Sequence, residues 1–130
     1  MSTGHRASAK RARNAANLSR AHRFQAVQHN ARISPRKVAL VATLIRGKRV
    51  EDALNELEFD NRRASSMVRK VLQSAVANAS DVAGLDPMDL KVVHATADEA
   101  FTFKRWHARG RGRGAVIRRR NTHITVAVSS

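Results

Sequence analysis

Ala64, Met67, Val68, Val71, Leu72, Ala75, Val76 and Ala79 recur at spacings of three and one. That repeat sets them all on one face of an α-helix. A helix of about 20 residues is roughly 30 Å long. It cannot bury such a stripe alone, so the rest of the chain must supply a second packed layer. The chain has 130 residues, enough for one domain with one core but not for two. Asp60 or Asn61 stands where an N-cap is expected, and Gly84 and Asp86-Pro87 end the pattern.

Around this helix the periodicity alternates between helix and strand. Phe24 to Ile33 reads as a strand. Ser34-Pro35 supplies an N-cap hydroxyl and a proline at the first helical position. Val38, Val41, Ala42 and Ile45 then form a helical stripe, widened by Leu40 and Leu44, and Gly47 ends it with Arg46 near its C-terminus. Val50 to Leu57 is a second helix, with Glu51 and Asp52 in the first turn where the helix dipole favours negative charge. After the third helix, Leu90 to Ala97 reads as a strand with Leu90 and Val92 on one face and Val93, Ala95 and Ala97 on the other. Thr122 to Val128 is another, with Ile124, Val126 and Val128 on one face.

Charge is distributed unevenly along this scaffold. Residues 1–50 carry twelve Lys/Arg and no acid, residues 51–100 carry five Lys/Arg and all ten acids, and residues 101–130 carry eight Lys/Arg and no acid. A chain made basic only for solubility intersperses both signs, so this segregation points to surfaces that face a polyanion. The absence of cysteine excludes a disulfide scaffold, a thiolate zinc site and a cysteine nucleophile. No apolar run approaches the roughly 18 residues of a membrane helix, so no membrane partner is expected. Residues 1–21 are rich in Ala, Ser, Asn and Arg and read as a disordered basic arm that orders on nucleic acid. An organellar transit peptide has a similar composition. The acid-free run continues past any plausible cleavage point, so the basic character belongs to the mature chain.

Between the last two strands, Asp98–Asn121 holds Lys104, Arg105, Arg109, Arg111, Arg113, Arg118, Arg119 and Arg120, with an Arg-Gly repeat over 109–114. Phe101, Phe103 and Trp106 before the repeat, and Val116 and Ile117 after it, favour a two-stranded ribbon with a glycine-rich tip. Arms of about ten residues would reach roughly 30 Å. Such a ribbon is marginal in water and needs a partner.

The helix starts carry a second signal. Arg36 and Lys37 stand in the first turn of the first helix, and Arg62 and Arg63 in that of the third. Cations there oppose the helix dipole, whereas a phosphate would satisfy both the free backbone N–H groups and the cations. Arg69 and Lys70 fall off the apolar stripe and extend the same surface. Trp106 either stacks on a base or packs against the opposite arm. The six histidines show no metal-ligand spacing, and Asp98-Glu99 is a lone acidic pair whose members point to opposite faces of a strand. A nucleic-acid hydrolase, which needs convergent carboxylates, is therefore disfavoured, and neither enzyme chemistry nor a cofactor is expected. An architectural DNA-binding protein that inserts a basic ribbon is the alternative to an RNA-binding reading. It would usually dimerise, and no homo-oligomer is expected here. Irregular RNA, rather than DNA, suits extended basic segments that order on binding.

Several motifs in order then resemble one family. The run Ala31 to Val38 with Leu44-Ile45-Arg46-Gly47-Lys48, the stretch Lys70 to Ala75 with Ala77-Asn78-Ala79, Lys104-Arg105, Arg109 to Arg113, and Thr122 to Val126 are together similar to the large-subunit ribosomal protein twenty-two family. The resemblance covers about residues 22–128. It implies an α+β domain over 22–130: three helices on a small antiparallel sheet, with a long basic β-hairpin protruding at about 99–121. It implies a structural protein that binds large-subunit ribosomal RNA, supports subunit assembly and sends its hairpin to line the nascent-peptide exit tunnel, near the sites of tunnel-binding macrolides. The implied partners are that RNA, neighbouring large-subunit proteins such as protein four, and the nascent polypeptide. The implied place is a cytoplasmic ribosome, with an organellar ribosome the second setting that fits. Carried over by motif or read from the charge pattern, the expected RNA-binding residues are Arg32, Ser34, Arg36, Lys37, Arg62, Arg63, Arg69, Lys70, Arg118, Arg119, Arg120 and His123. The expected tunnel-hairpin residues are Lys104, Arg105, Trp106, Arg109, Arg111 and Arg113. The sequence departs from the family pattern at Ala100-Phe101, where Gly-Pro is common, at Ala108 for a tip proline, and at Ala115 for an acid.

Overall fold

The long amphipathic stripe lies at the centre of the computed structural model, which describes residues 23–130. The basic arm expected at 1–21 lies outside the described residues. The elements run β1 (Phe24–Ala31), α1 (Pro35–Ile45), α2 (Val50–Phe59), α3 (Arg63–Ala83), a 3-10 turn at Pro87–Asp89, β2 (Lys91–Ala108) and β3 (Gly114–Ser129). The sheet is antiparallel in the order β1-β3-β2. Its inner face meets the helices in rows. Phe24, Val128 and Val92 make one row, Ala26, Val126 and Ala95 the next, and Ile124 with Ala97 a third. Against these rows α3 packs Val68, Val71, Leu72, Ala75 and Ala79.

Each helix boundary has a local cause. Asp60 does not occupy the N-cap of α3, which is Arg62. Its carboxylate acts from two residues before, accepting the Arg62 N–H (3.1 Å) and the Ser65 hydroxyl (2.7 Å). The helix ends at Gly84, whose φ of 62° is the left-handed conformation and whose N–H reaches the Ser80 carbonyl (2.9 Å). In α1 the buried stripe is Val38, Val41, Ala42 and Ile45 alone. Leu40 and Leu44 do not widen it but face outward. Leu40 follows Val38 by two residues, about 200° around the helix, and Leu44 shares its face. Arg46 leaves the helix in an extended conformation, and its guanidinium donates to the Ala95 carbonyl (2.6 Å), tying α1 to β2. The second helix runs two residues beyond the expected Leu57, to Phe59.

Two expectations about β2 are corrected, the first by a bulge. Simple alternation puts Ala95 opposite Val92, but the register shifts between Val92 and His94. The extra residue reverses the parity, so Val92 and Ala95 share the core face while Val93 is exposed. Nor does the strand stop at Ala97. It continues without a break into the ribbon, as does β3 on the return. A second shift lies between Glu99 and Thr102, at the Ala100-Phe101 pair, and bends the ribbon as it leaves the body.

From Thr102 opposite Arg120 to Ala108 opposite Gly114, the hairpin is two-stranded. Seven residues per arm extend about 23 Å. The tip closes through Arg109 N–H to the Arg113 carbonyl (2.7 Å) and Arg113 N–H to the Gly110 carbonyl (3.3 Å). Arg111 and Gly112 both take positive φ, 59° and 68°. Glycine does so freely, whereas Arg111 carries a local cost of roughly 1–2 kcal/mol.

Candidate nucleic-acid interface

One buried hydroxyl sets the geometry of the basic surface. Thr122 is fully buried on β3, and its hydroxyl donates to the Ile33 carbonyl (2.6 Å) at the β1–α1 junction. That bond fastens the start of α1 to β3 just where β3 enters the body from the hairpin. The start of α3 reaches the same place because Asp60 and Ser65 fix its first turn. The Ser65 hydroxyl, then the Arg62 N–H and guanidinium, hold the Asp60 carboxyl below its ordinary value against a smaller upward push from burial.

These constraints bring four separate sequence segments around one groove of about 1,090 Å³. Arg32, Ser34 and Lys37 come from the start of α1, Arg62 and Arg63 from the start of α3, and Arg105, Arg118, Arg119 and Arg120 from the hairpin base. Ile33, Leu40, Ala64, Phe103 and Asn121 complete the lining. Eight cations and no carboxylate line it. Arg62 and Arg120 have carboxylates just outside the groove, Asp60 and Glu99, each at 3.7 Å. The start of α1 carries no side-chain cap, whereas that of α3 is held by Asp60. Ser34 is the N-cap of α1, but its hydroxyl makes no capping bond, contrary to the expectation for that residue. The first-turn N–H groups thus lack that internal acceptor. Packing eight like charges around a hollow is unfavourable until an anion fills it, so the groove is suited to a polyanion.

The remaining expected residues fall elsewhere. Arg36 is exposed on the first turn of α1 but does not line the groove. Arg69 and Lys70 do not extend it either. They flank a separate hollow of about 330 Å³ beside Glu58 and Asp60, and Arg69 pairs with Glu58 (3.4 Å). His123 lies outside the groove, and its Nδ1 accepts the Asn30 N–H (3.2 Å). It stands edge-on to the His29 ring at 5.1 Å, holding the β1 bulge where Asn30 takes a positive φ of 53°. Lys104 pairs across the ribbon with Arg118. Trp106 packs against the opposite arm. A Cβ on Gly114 would overlap its indole, so the ring lies directly over that glycine, while 71% of the residue stays exposed. Arg109, Arg111 and Arg113 form a second basic patch at the far end of the ribbon. Among the described residues, no three His, Asp or Glu side chains converge as metal ligands do, and no helix is long and apolar enough to cross a membrane.

Sequence reasoning missed Leu40, Phe103 and Asn121 as lining residues. Phe103 is held edge-on by Phe101, with centroids 5.0 Å apart at 81°, and the Arg105 guanidinium lies 5.3 Å from its ring. The outward face of Leu40, off the helical stripe, was the available signal.

Comparison with known proteins identifies the family. The family model described as ribosomal protein L22p/L17e matches residues 26–129. The chain is 47% identical over 104 residues to the large ribosomal subunit protein uL22 of Agrobacterium fabrum, covering 80% of this chain and 81% of that one. It is 49% identical over 104 residues to the uL22 of a Thermoanaerobacter species, covering 80% of this chain and 94% of the other. The uL22 of a Hydrogenobaculum species is 44% identical over the same length, with 85% of it covered.

Proposed function

The chain belongs to the L22p/L17e family of ribosomal proteins, and from that membership we propose that it is a structural constituent of the large ribosomal subunit, held on ribosomal RNA by the groove between its helix starts and its hairpin base. The observation that carries this reading is the convergence of eight cations from four chain segments on one hollow with no acid in its lining. Phosphate neutralisation there supplies affinity without catalysis, so the protein acts as a scaffold and not as an enzyme. The hairpin, about 23 Å beyond the body, carries Arg109, Arg111 and Arg113 away from the groove. In our reading the ribbon threads through folded RNA and its tip lines the tunnel that the nascent polypeptide follows. The acid-bearing face of α2, with Glu51 and Asp52 in its first turn, is left for neighbouring subunit proteins. The cytoplasmic ribosome is the proposed location. Residues 1–21 are proposed to be an additional RNA-contacting arm beside the single domain of 22–130.

The test is incorporation. A tagged copy expressed in cells should sediment with large subunits through a sucrose gradient in high salt. Replacing Arg109, Arg111 and Arg113 with Glu should block incorporation or disturb translation through the tunnel. A tagged chain that stays at the top of the gradient, or a triple variant that assembles and translates normally, overturns the proposal.

A further inference from the structure

The groove is not lined only for phosphate. Leu40 is 61% exposed and Phe103 is 41% exposed, and both line the hollow among the guanidinium groups. A phosphate chain gains nothing from either side chain. Leu40 is not needed by the core, since α1 completes its buried stripe without it. Phe103 stands edge-on to Phe101 and beneath Arg105. The volume, about 1,090 Å³, is just above the roughly 300–1,000 Å³ typical of small-ligand sites. Apolar side chains lining a groove among cations match a nucleotide: a base with flat apolar faces and an anionic backbone on either side.

We propose that this groove seats one unstacked base of its RNA, such as a bulged nucleotide, against Leu40 and Phe103, with the flanking phosphates on the surrounding cations. The inference rests on the ribosomal RNA reading and deepens it, because it specifies irregular RNA with an extruded base over continuous duplex. Specificity then comes from Leu40 and Phe103, and affinity comes from the cations.

The full-length protein is titrated by fluorescence anisotropy with three labelled RNA stems. One is fully paired, one is identical but for a single unpaired adenosine, and one carries an abasic nucleotide at the bulge. Base–aromatic contacts correspond to roughly 5- to 150-fold in binding, so the bulged stem should bind about tenfold more tightly than the other two. Leu40→Ser and Phe103→Ser, each at an exposed site and each checked for an unchanged melting temperature, should erase that preference, so that the bulged stem binds no more tightly than the paired one. Lys37→Ala should weaken all three stems alike. Equal binding of all stems by the wild type overturns the base-seating inference alone. So does an abasic bulge that binds as well as the adenosine, or a preference that survives both apolar variants. Failure to bind any stem overturns the RNA reading together with it.

Discussion

Neutralising three groove cations should weaken RNA binding through the salt dependence, and by a calculable amount. Lys37, Arg63 and Arg119 come from α1, α3 and β3 respectively, and all three line the groove. None forms an ion pair among the described residues, so their removal leaves no carboxylate unpaired. Each phosphate neutralised on irregular RNA contributes about −0.7 to the slope of log K against log salt. With all eight lining cations engaged, the slope is about −6, and with five it is about −3.5. At 0.1 M salt the same relation makes Lys37→Ala/Arg63→Ala/Arg119→Ala roughly 100-fold weaker than the wild type. The assay is fluorescence anisotropy with a labelled fragment of large-subunit ribosomal RNA across a salt series. The control triple Lys48→Ala/Arg49→Ala/Lys91→Ala removes the same net charge away from the groove and should change the slope little. Equal slopes for both triples would show that net charge alone binds RNA, and would refute the assignment of the interface to the groove.

Three further outcomes follow from single contacts. Thr122→Val leaves the Ile33 carbonyl without its hydroxyl donor in a buried site and should cost about 1–3 kcal/mol in chemical denaturation; a loss of a few tenths would contradict the clamp. The Asp60 carboxyl is held below its ordinary value of 3.8, so its contribution to stability is complete above that value and is lost as pH falls through the lowered one. Asp60→Asn should therefore be less stable than wild type at neutral pH, with the gap closing in acid, and a gap that widens in acid would contradict the sign. Gly114→Ala displaces the indole of Trp106, the chain's one tryptophan, so quenching of its fluorescence by acrylamide should rise; unchanged quenching would mean that the ring does not rest on that glycine.

The helical layer was legible because each helix buries a stripe at a fixed spacing. Val38, Val41, Ala42 and Ile45 on α1, and the long repeat on α3, read correctly from period alone. The strands were less so. The bulge at Val93 reverses which residues face the core, and nothing in the alternation of Leu90 to Ala97 marks it. The hairpin was visible as Arg-Gly between β-branched and aromatic flanks, but the bend at Ala100-Phe101 depends on a register shift set by pairing across to β3. The groove was legible as ingredients and not as a place. Lys37, Arg62 and Arg63, and Arg118 to Arg120 stand out by local charge, and Arg32 by its place in the family-like run. Their meeting depends on the contact of Thr122 with Ile33, residues 89 apart in sequence. Arg69, Lys70 and His123 illustrate the converse. Each carries the expected chemistry, yet Arg69 and Lys70 flank a hollow beside Glu58 and Asp60, and the Nδ1 of His123 is committed to the Asn30 backbone.

The central claim, that the groove is the surface lying on ribosomal RNA, is tested most directly by ultraviolet cross-linking of intact large subunits followed by mass spectrometry of this protein's peptides. Nucleotide adducts should map to Arg32–Leu40, Arg62–Ala64, Phe103–Arg105 and Arg118–Asn121. Adducts that avoid all four segments and fall on the acidic face of α2 would contradict it.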